Sequence, residues 1–208
     1  DPDGKKYFTY DAEGRLTSCV TGVDSVLFVY YSDSIIQYNR HPDKFWEYKT
    51  SFVLDASGKA VNARTFDGYA NRVREENYTY DEKERLTYYY RYIYANNEVW
   101  QYHFDYLNDS VTKVSTMLPD GSAGNSYTLL YNRHQPNVFQ PTFVGSWFDA
   151  GPIKLFGQEP AFLPQAILCT GPNGDTLSHI NYCYPSSKNE LIFTVSETDV
   201  LNQFTNTI

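Results

Sequence analysis

The sequence predicts an all-β chain: a curved antiparallel meander of repeated β-hairpins, strongly curved or partly closed as a barrel. Two observations predict it. First, one pattern recurs: Tyr78-Thr79-Tyr80-Asp81-Glu82-Lys83-Glu84-Arg85-Leu86-Thr87 repeats Phe8-Thr9-Tyr10-Asp11-Ala12-Glu13-Gly14-Arg15-Leu16-Thr17, and Phe52 to Ala60 is a degraded copy. Each copy is a short alternating run, a polar turn and a second alternating run, which is how a hairpin reads. Second, aromatic residues make up 17% of the chain, with 20 Tyr and 13 Phe. That density favours strands over helices and excludes a disordered chain.

Taken in order, Lys5 to Tyr10 alternates into the turn Asp11–Gly14, and Arg15 to Thr21 returns. Asp opens such turns because its carboxylate accepts a backbone N–H two residues on. Gly22-Val23-Asp24 turns into Ser25 to Tyr31, and Ser32-Asp33 into Ile35 to Tyr38. His41-Pro42-Asp43 is a break, since Pro42 cannot donate to a central ladder. Phe45 to Leu54 and Lys59 to Phe66 form the next hairpin, closed by Asp67-Gly68 before Val73 to Tyr80. The interval from Asp11 to Asp55 is much longer than that from Asp55 to Asp81, which suits an antiparallel meander better than a fixed-period solenoid.

Asn96-Asn97 predicts a two-residue turn, because both residues tolerate positive φ. That turn would set Ile93 against Trp100, Arg91 against Tyr102 and Tyr89 against Phe104 on a core face, with Arg91 over an aromatic ring. The opposite face would pair Tyr92 with Gln101, Tyr90 with His103 and Tyr88 with Asp105, and it reads as aromatic but wet. Val111 to Leu118, the turn Pro119-Asp120-Gly121 and Asn125 to Tyr131 follow.

Between Arg133 and Gln165 the pattern stops. Pro136, Pro141, Pro152, Pro160 and Pro164, with Gly145, Gly151 and Gly157, preclude regular strands. Phe139, Phe143, Trp147, Phe148, Phe156 and Phe162 belong in a packed segment, not a linker. The expectation is an ordered, packed Pro/Gly/aromatic insertion with a helical turn near Pro160–Leu163. Hairpins resume with Ala166 to Cys169, a turn through Gly171–Asp175, Thr176 to Tyr184 and Asn189 to Val195. The organisation expected is therefore a single β domain over 1–208: a meander at 1–132, the insertion at 133–165 and closing hairpins at 166–208.

The formal net charge is -8, and no basic stripe is present to displace phosphate counterions, which argues against nucleic acid. Cys19, Cys169 and Cys183 have no metal-type spacing. Each falls in a predicted strand as a small buried hydrophobe, and a Cys169–Cys183 bridge is left open. His41, His103, His134 and His179 are scattered, and no phosphate loop, H-E-x-x-H or G-x-S-x-G is present. No catalytic residue, metal site or cofactor is expected. Glu75 and Glu76 are adjacent in a predicted strand, so they point to opposite faces and cannot converge as a glycosidase pair. Mean hydropathy of -0.53, and strands that place Lys49, Ser51, Arg74 or Glu76 on one face or the other, oppose an unbroken apolar band, so a chain that does not span a membrane is expected.

The motif at Phe8–Thr17 resembles the YD repeats of Rhs-type bacterial surface proteins. The wider layout, with hairpins either side of Leu155-Phe156-Gly157-Gln158-Glu159-Pro160-Ala161-Phe162-Leu163-Pro164, is similar to an uncharacterised family of Bacteroidetes lipoproteins with a porin-like fold. Here Glu84 replaces the turn Gly and Leu54 replaces a Tyr. The resemblance implies a secreted protein of the cell envelope, in the periplasm or on the outer-membrane surface, lipid-anchored upstream of residue 1. It carries no catalytic residues over.

The remaining chemical signal is Tyr88, Tyr90 and Tyr92 with Gln101 and His103. Phenols offer flat apolar faces and hydrogen-bonding tips, which suits sugar rings. Two readings stand: a ligand-binding row, with a glycan or other envelope component as partner, or the second packed face of a curved sheet covered by the insertion. At the level of function the first reading is a non-catalytic envelope module, and the alternative is a glycan-acting hydrolase.

Overall fold

The computed structural model describes residues 6–21, 24–40, 47–107, 110–136, 162–183, 194–199 and 204–207. These form strands only: β1 (Lys6–Tyr10), β2 (Leu16–Thr21), β3 (Asp24–Tyr30), β4 (Ser34–Arg40), β5 (Tyr48–Leu54), β6 (Ala60–Asp67), β7 (Arg72–Tyr80), β8 (Leu86–Ile93), β9 (Glu98–Leu107), β10 (Ser110–Met117), β11 (Ala123–Pro136), β12 (Phe162–Thr170), β13 (Thr176–Cys183), β14 (Thr194–Asp199) and β15 (Phe204–Thr207). Strand order follows chain order, and every described ladder is antiparallel, so the sheet is an all-β meander. No helix among the described residues is long and apolar enough to cross a membrane, which says nothing of strands. Contacts group the chain into two compact units, the first holding β1–β8 and the second β10–β15, with β9 entering the second from Trp100.

The turns share one construction. At Asp81 the backbone N–H donates to the Arg85 carbonyl (3.0 Å), while the Glu84 N–H donates to the Asp81 carbonyl (2.9 Å). The Asp81 carboxylate accepts the Lys83 and Arg85 N–H groups, both at 2.9 Å. Its second oxygen takes the Arg85 Nε at 2.8 Å. Asp11 with Arg15, Asp55 with Lys59 and Asp67 with Asn71 repeat this arrangement. The fourth turn residue then takes a left-handed backbone: Gly14, Gly58, Gly121 and Gly174 do so, and so do Ala70 and Glu84. A left-handed residue after such a turn produces a bulge. Register shifts follow at Thr9/Tyr10, Val53/Leu54, Thr65/Phe66, Thr79/Tyr80, Ser115/Met117 and Cys169/Thr170.

Each bulge inserts one residue and resets the inward phase. Ala60 and Ala63 are both buried despite their odd spacing, as are Leu86 and Tyr89. A bulge in the β9–β10 ladder does the same for Val111 and Val114. The hairpins are also tied sideways. The Tyr30 hydroxyl donates to the Leu16 carbonyl (2.7 Å) beneath Arg15, and the Tyr80 hydroxyl donates to the Ala60 carbonyl (2.8 Å) beneath Lys59. The first unit's core is Phe28, Ile35, Phe52, Ala60, Ala63, Tyr78, Leu86 and Tyr89, and the second's is Phe104, Val111, Val114, Leu129, Ala166, Ile167 and Cys169. Each large member contributes about 1.5–3 kcal/mol by leaving water.

Several expectations change. The link after β8 is four residues, Tyr94–Asn97, not a two-residue turn, and only Asn97 takes positive φ. A turn that needs positive φ at both Asn96 and Asn97 is therefore absent. The turn at Asp67-Gly68 does close the hairpin, with Ala70 in the left-handed position and the Asp67 carboxylate accepting the Tyr69 and Asn71 N–H groups. Trp100, assigned to the core face, is 40% exposed, and it stacks on Tyr102 instead (6.3 Å). Arg91 lies over a ring as expected, but the ring is that of Tyr89 on its own strand. β11 runs on to Pro136 and β12 begins at Phe162, so Phe162 and Leu163 of the expected helical turn are strand, and its residues 160 and 161 lie outside the described residues. Register shifts at Tyr131↔Pro164 and Pro136↔Phe162 accommodate the prolines, which cannot donate to a regular ladder. Residues 137–161, most of the expected insertion, lie outside the described residues, as does the break at Pro42. Cys169 is buried and, among the described residues, is in no disulfide.

Candidate functional site

Tyr88, Tyr90 and Tyr92 alternate along β8 and share one face, all half-buried. The Asp81 turn and its bulge set their partners on β7: Tyr88 faces Thr79, Tyr90 faces Asn77 and Tyr92 faces Glu75. The next ladder sets Asn62 against Asn77 and Arg64 against Glu75. The phenols therefore border a polar outer face of the first unit.

That face is a connected network. Asn62 Nδ2 donates to Asn77 Oδ1 (2.9 Å), and Arg64 Nε to Glu75 Oε1 (3.3 Å). The Tyr94 hydroxyl donates to Glu75 Oε2 (3.1 Å), while Arg72 Nη1 reaches both the Tyr94 oxygen (3.1 Å) and Glu75 Oε2 (3.4 Å). Tyr92 donates to Asn97 Oδ1 (2.6 Å) and meets the Tyr94 ring edge-on at 4.7 Å. Partial burial acts to raise the Glu75 pKa, but the Tyr94 hydroxyl and the Arg64 guanidinium outweigh it and hold the carboxyl below its usual value. Burial raises the Tyr88 pKa, and the neighbouring Tyr90 adds to this. Phenols, amides and an anchored carboxylate together can stack on a ring and exchange hydrogen bonds with hydroxyls.

Of the residues expected from sequence, the structure groups Tyr88, Tyr90 and Tyr92. Gln101 and His103 stand on β9, in residues belonging to the second unit, paired with Met117 and Ser115 of β10. His103 is exposed. Sequence reasoning missed Asn62, Arg64, Glu75 and Asn77. The Asp81 turn carried the signal for the β7 pair, because turn type fixes register.

Glu75 and Glu76 point to opposite faces as the alternation required: Glu75 joins the outer network, and Glu76 is buried at 2% exposure. Glu82 and Glu84 are exposed on the turn, with Glu84 beside Lys59 Nζ (3.2 Å). Among the described residues no group of three His, Cys, Asp or Glu side chains is placed to hold a metal ion.

No family model matches this sequence, and no curated protein does. Solved structures do. The fold is similar to that of a porin-like protein from Bacteroides uniformis ATCC 8492, with a TM-score of 0.70 and 13% identity over 98% of this chain and 85% of that one. It is also similar to a porin-like protein from Bacteroides vulgatus ATCC 8482, with a TM-score of 0.55 and 14% identity over 96% of this chain and 90% of that one. At such identities the likeness is one of fold, and it agrees with the porin-like fold that the family resemblance implies.

Proposed function

We propose that this protein is a non-catalytic binding module of the bacterial cell envelope, and that the outer face of β6–β8 takes an extended polar ligand, a glycan. The observation that carries the reading is the half-buried Tyr88–Tyr90–Tyr92 row bordered by Asn62, Arg64, Glu75 and Asn77. Three phenols in line with an amide pair and an anchored carboxylate would offer such a ligand stacking faces and hydrogen-bonding tips. Support for the envelope comes from the fold's likeness to porin-like Bacteroides proteins. Attachment by a lipid upstream of residue 1 belongs to the same proposal, as does a chain that does not cross the membrane by strands. A hydrolase would need two converging carboxylates about 5–9.5 Å apart. Glu75 and Glu76, on opposite faces, do not form such a pair.

A glycan array on the parent protein and on a Tyr90→Ala/Tyr92→Ala variant tests the reading. Each phenol contact is worth about 1 kcal/mol, so the double variant should bind roughly 30-fold more weakly, with an unchanged circular dichroism spectrum. Gln101→Ala and His103→Ala, made separately, show whether the β9 pair takes part. A blank array for the parent protein would overturn the ligand and leave an envelope scaffold.

A further inference from the structure

The opposite, inner face of the first unit holds a second cluster that the outer-face reading does not use. The ladders place Gln37, Thr50, Thr65 and Arg74 in one row across β4–β7, and set Glu76 against Arg91 in the next. Glu76 Oε1 accepts the Tyr89 hydroxyl and the Arg91 Nε (3.3 Å), and its Oε2 lies 3.2 Å from Arg74 Nε. Arg91 Nε also donates to the Tyr89 oxygen at 2.6 Å. The tyrosines on this face are neutral: burial, reinforced by the Glu76 charge, pushes the Tyr78 and Tyr89 pKa values well up. One carboxylate therefore meets two guanidinium groups, and the cluster carries excess positive charge.

A second observation is independent of that charge count. Arg91 Nη2 and Gln37 Oε1 are buried and make no hydrogen bond, whereas Arg74 Nε has only its ion pair with Glu76 Oε2. Gln37 itself is only 9% exposed, and its Nε2 is spent on Asn39 Oδ1 (2.8 Å). Folded proteins rarely leave buried donors unmade, least of all charged ones. A spare Arg91 donor beside uncompensated positive charge suits a charge-assisted hydrogen bond to an oxyanion.

We propose that Arg74 and Arg91 form an anion site on the inner face of the first unit, for a small molecule bearing a carboxylate or phosphate group. Glu76 and Tyr89 act as positioning residues: they fix the Arg91 Nε edge and leave Nη2 to the ligand. A lysine would supply charge without the planar fork.

The test uses the intact chain. Its melting temperature is followed against inorganic phosphate, sulfate and acetate, each compared with chloride at equal ionic strength. A saturable rise beyond the chloride control is expected. Response to acetate alone assigns a carboxylate ligand, and response to phosphate and sulfate assigns a phosphate ligand. Arg91→Lys and Arg74→Gln should each weaken the apparent affinity at least about tenfold, the scale of one lost charge-assisted bond. Should Arg91→Lys fail to fold, Arg74→Gln and the Arg91 Nε–H resonance of the parent, which should shift in step with the melting rise, still decide. Curves that match chloride for all three anions, or affinities unchanged in the variants that fold, would overturn the proposal.

Discussion

Replacing Ala70 and Glu84 by glycine should stabilise the protein. Both hold left-handed backbones, with φ of 65° and 64°, at the turn position that Gly14, Gly58, Gly121 and Gly174 occupy elsewhere. A residue with a Cβ loses about 1–2 kcal/mol there. Glycine removes that cost but frees the unfolded chain by about 0.4–1 kcal/mol, leaving a gain of roughly 0.5–1 kcal/mol at Ala70. At Glu84 the ion pair with Lys59 Nζ (3.2 Å) is also lost, with a Glu84 side chain 63% exposed. Such a pair is worth about 0.2–1 kcal/mol. The low end applies, because Lys59 keeps Ser57 and Asp55 as partners. Ala70→Gly/Glu84→Gly should thus gain about 1–1.5 kcal/mol, near additively since the two turns share no partner. For a chain of this size that raises Tm by roughly 2–6 °C. Calorimetry with matched urea titrations checks it, and Gly58→Ala, which installs the strain, should move Tm the other way. If Ala70→Gly lowers stability, the left-handed turn is not what costs energy at this position.

Other outcomes follow from the first unit's interior and from the turns. Glu76→Gln strips two guanidinium groups of their buried counter-charge and should cost about 3–5 kcal/mol, read as a lower urea midpoint; a loss below about 1 kcal/mol would mean that the cluster is solvated. Acid should loosen the hairpins. The Ser57 hydroxyl, then the Lys59 and Ser57 N–H groups, hold the Asp55 carboxyl at about 2 against an ordinary 3.8. Asp11, Asp67, Asp81 and Asp120 are lowered too. For each, the folded pKa lies below the unfolded one, so the stability is whole above the unfolded value and drains as pH falls through the folded value. Melting temperature should fall between about pH 4 and 2, and Asp55→Asn should flatten that slope; a flat parent profile would show that the turn carboxylates do not stabilise the fold.

The candidate surface was legible only in part. Alternation alone put Tyr88, Tyr90 and Tyr92 on one face, because successive strand residues point to opposite sides. Their polar neighbours Asn62, Arg64, Glu75 and Asn77 come from two further strands and are set by register, which the Asp81 bulge shifts by one residue. The same cause defeated simple alternation at Ala60/Ala63 and Leu86/Tyr89.

By itself the sequence determined what is local: strands between Asp-led turns, their antiparallel pairing in chain order, and the opposition of Glu75 to Glu76. These depend on hydrogen bonds and side-chain directions within a few residues, such as the Asp81 carboxylate taking the Lys83 and Arg85 amides. Only the tertiary structure decided which residues of each face are buried. Trp100, large and apolar, is exposed, whereas Glu76, charged, is sealed between Arg74, Arg91 and Tyr89. Burial depends on what neighbouring strands bring within reach, and a carboxylate can leave water only where those strands supply its counter-charges and donors.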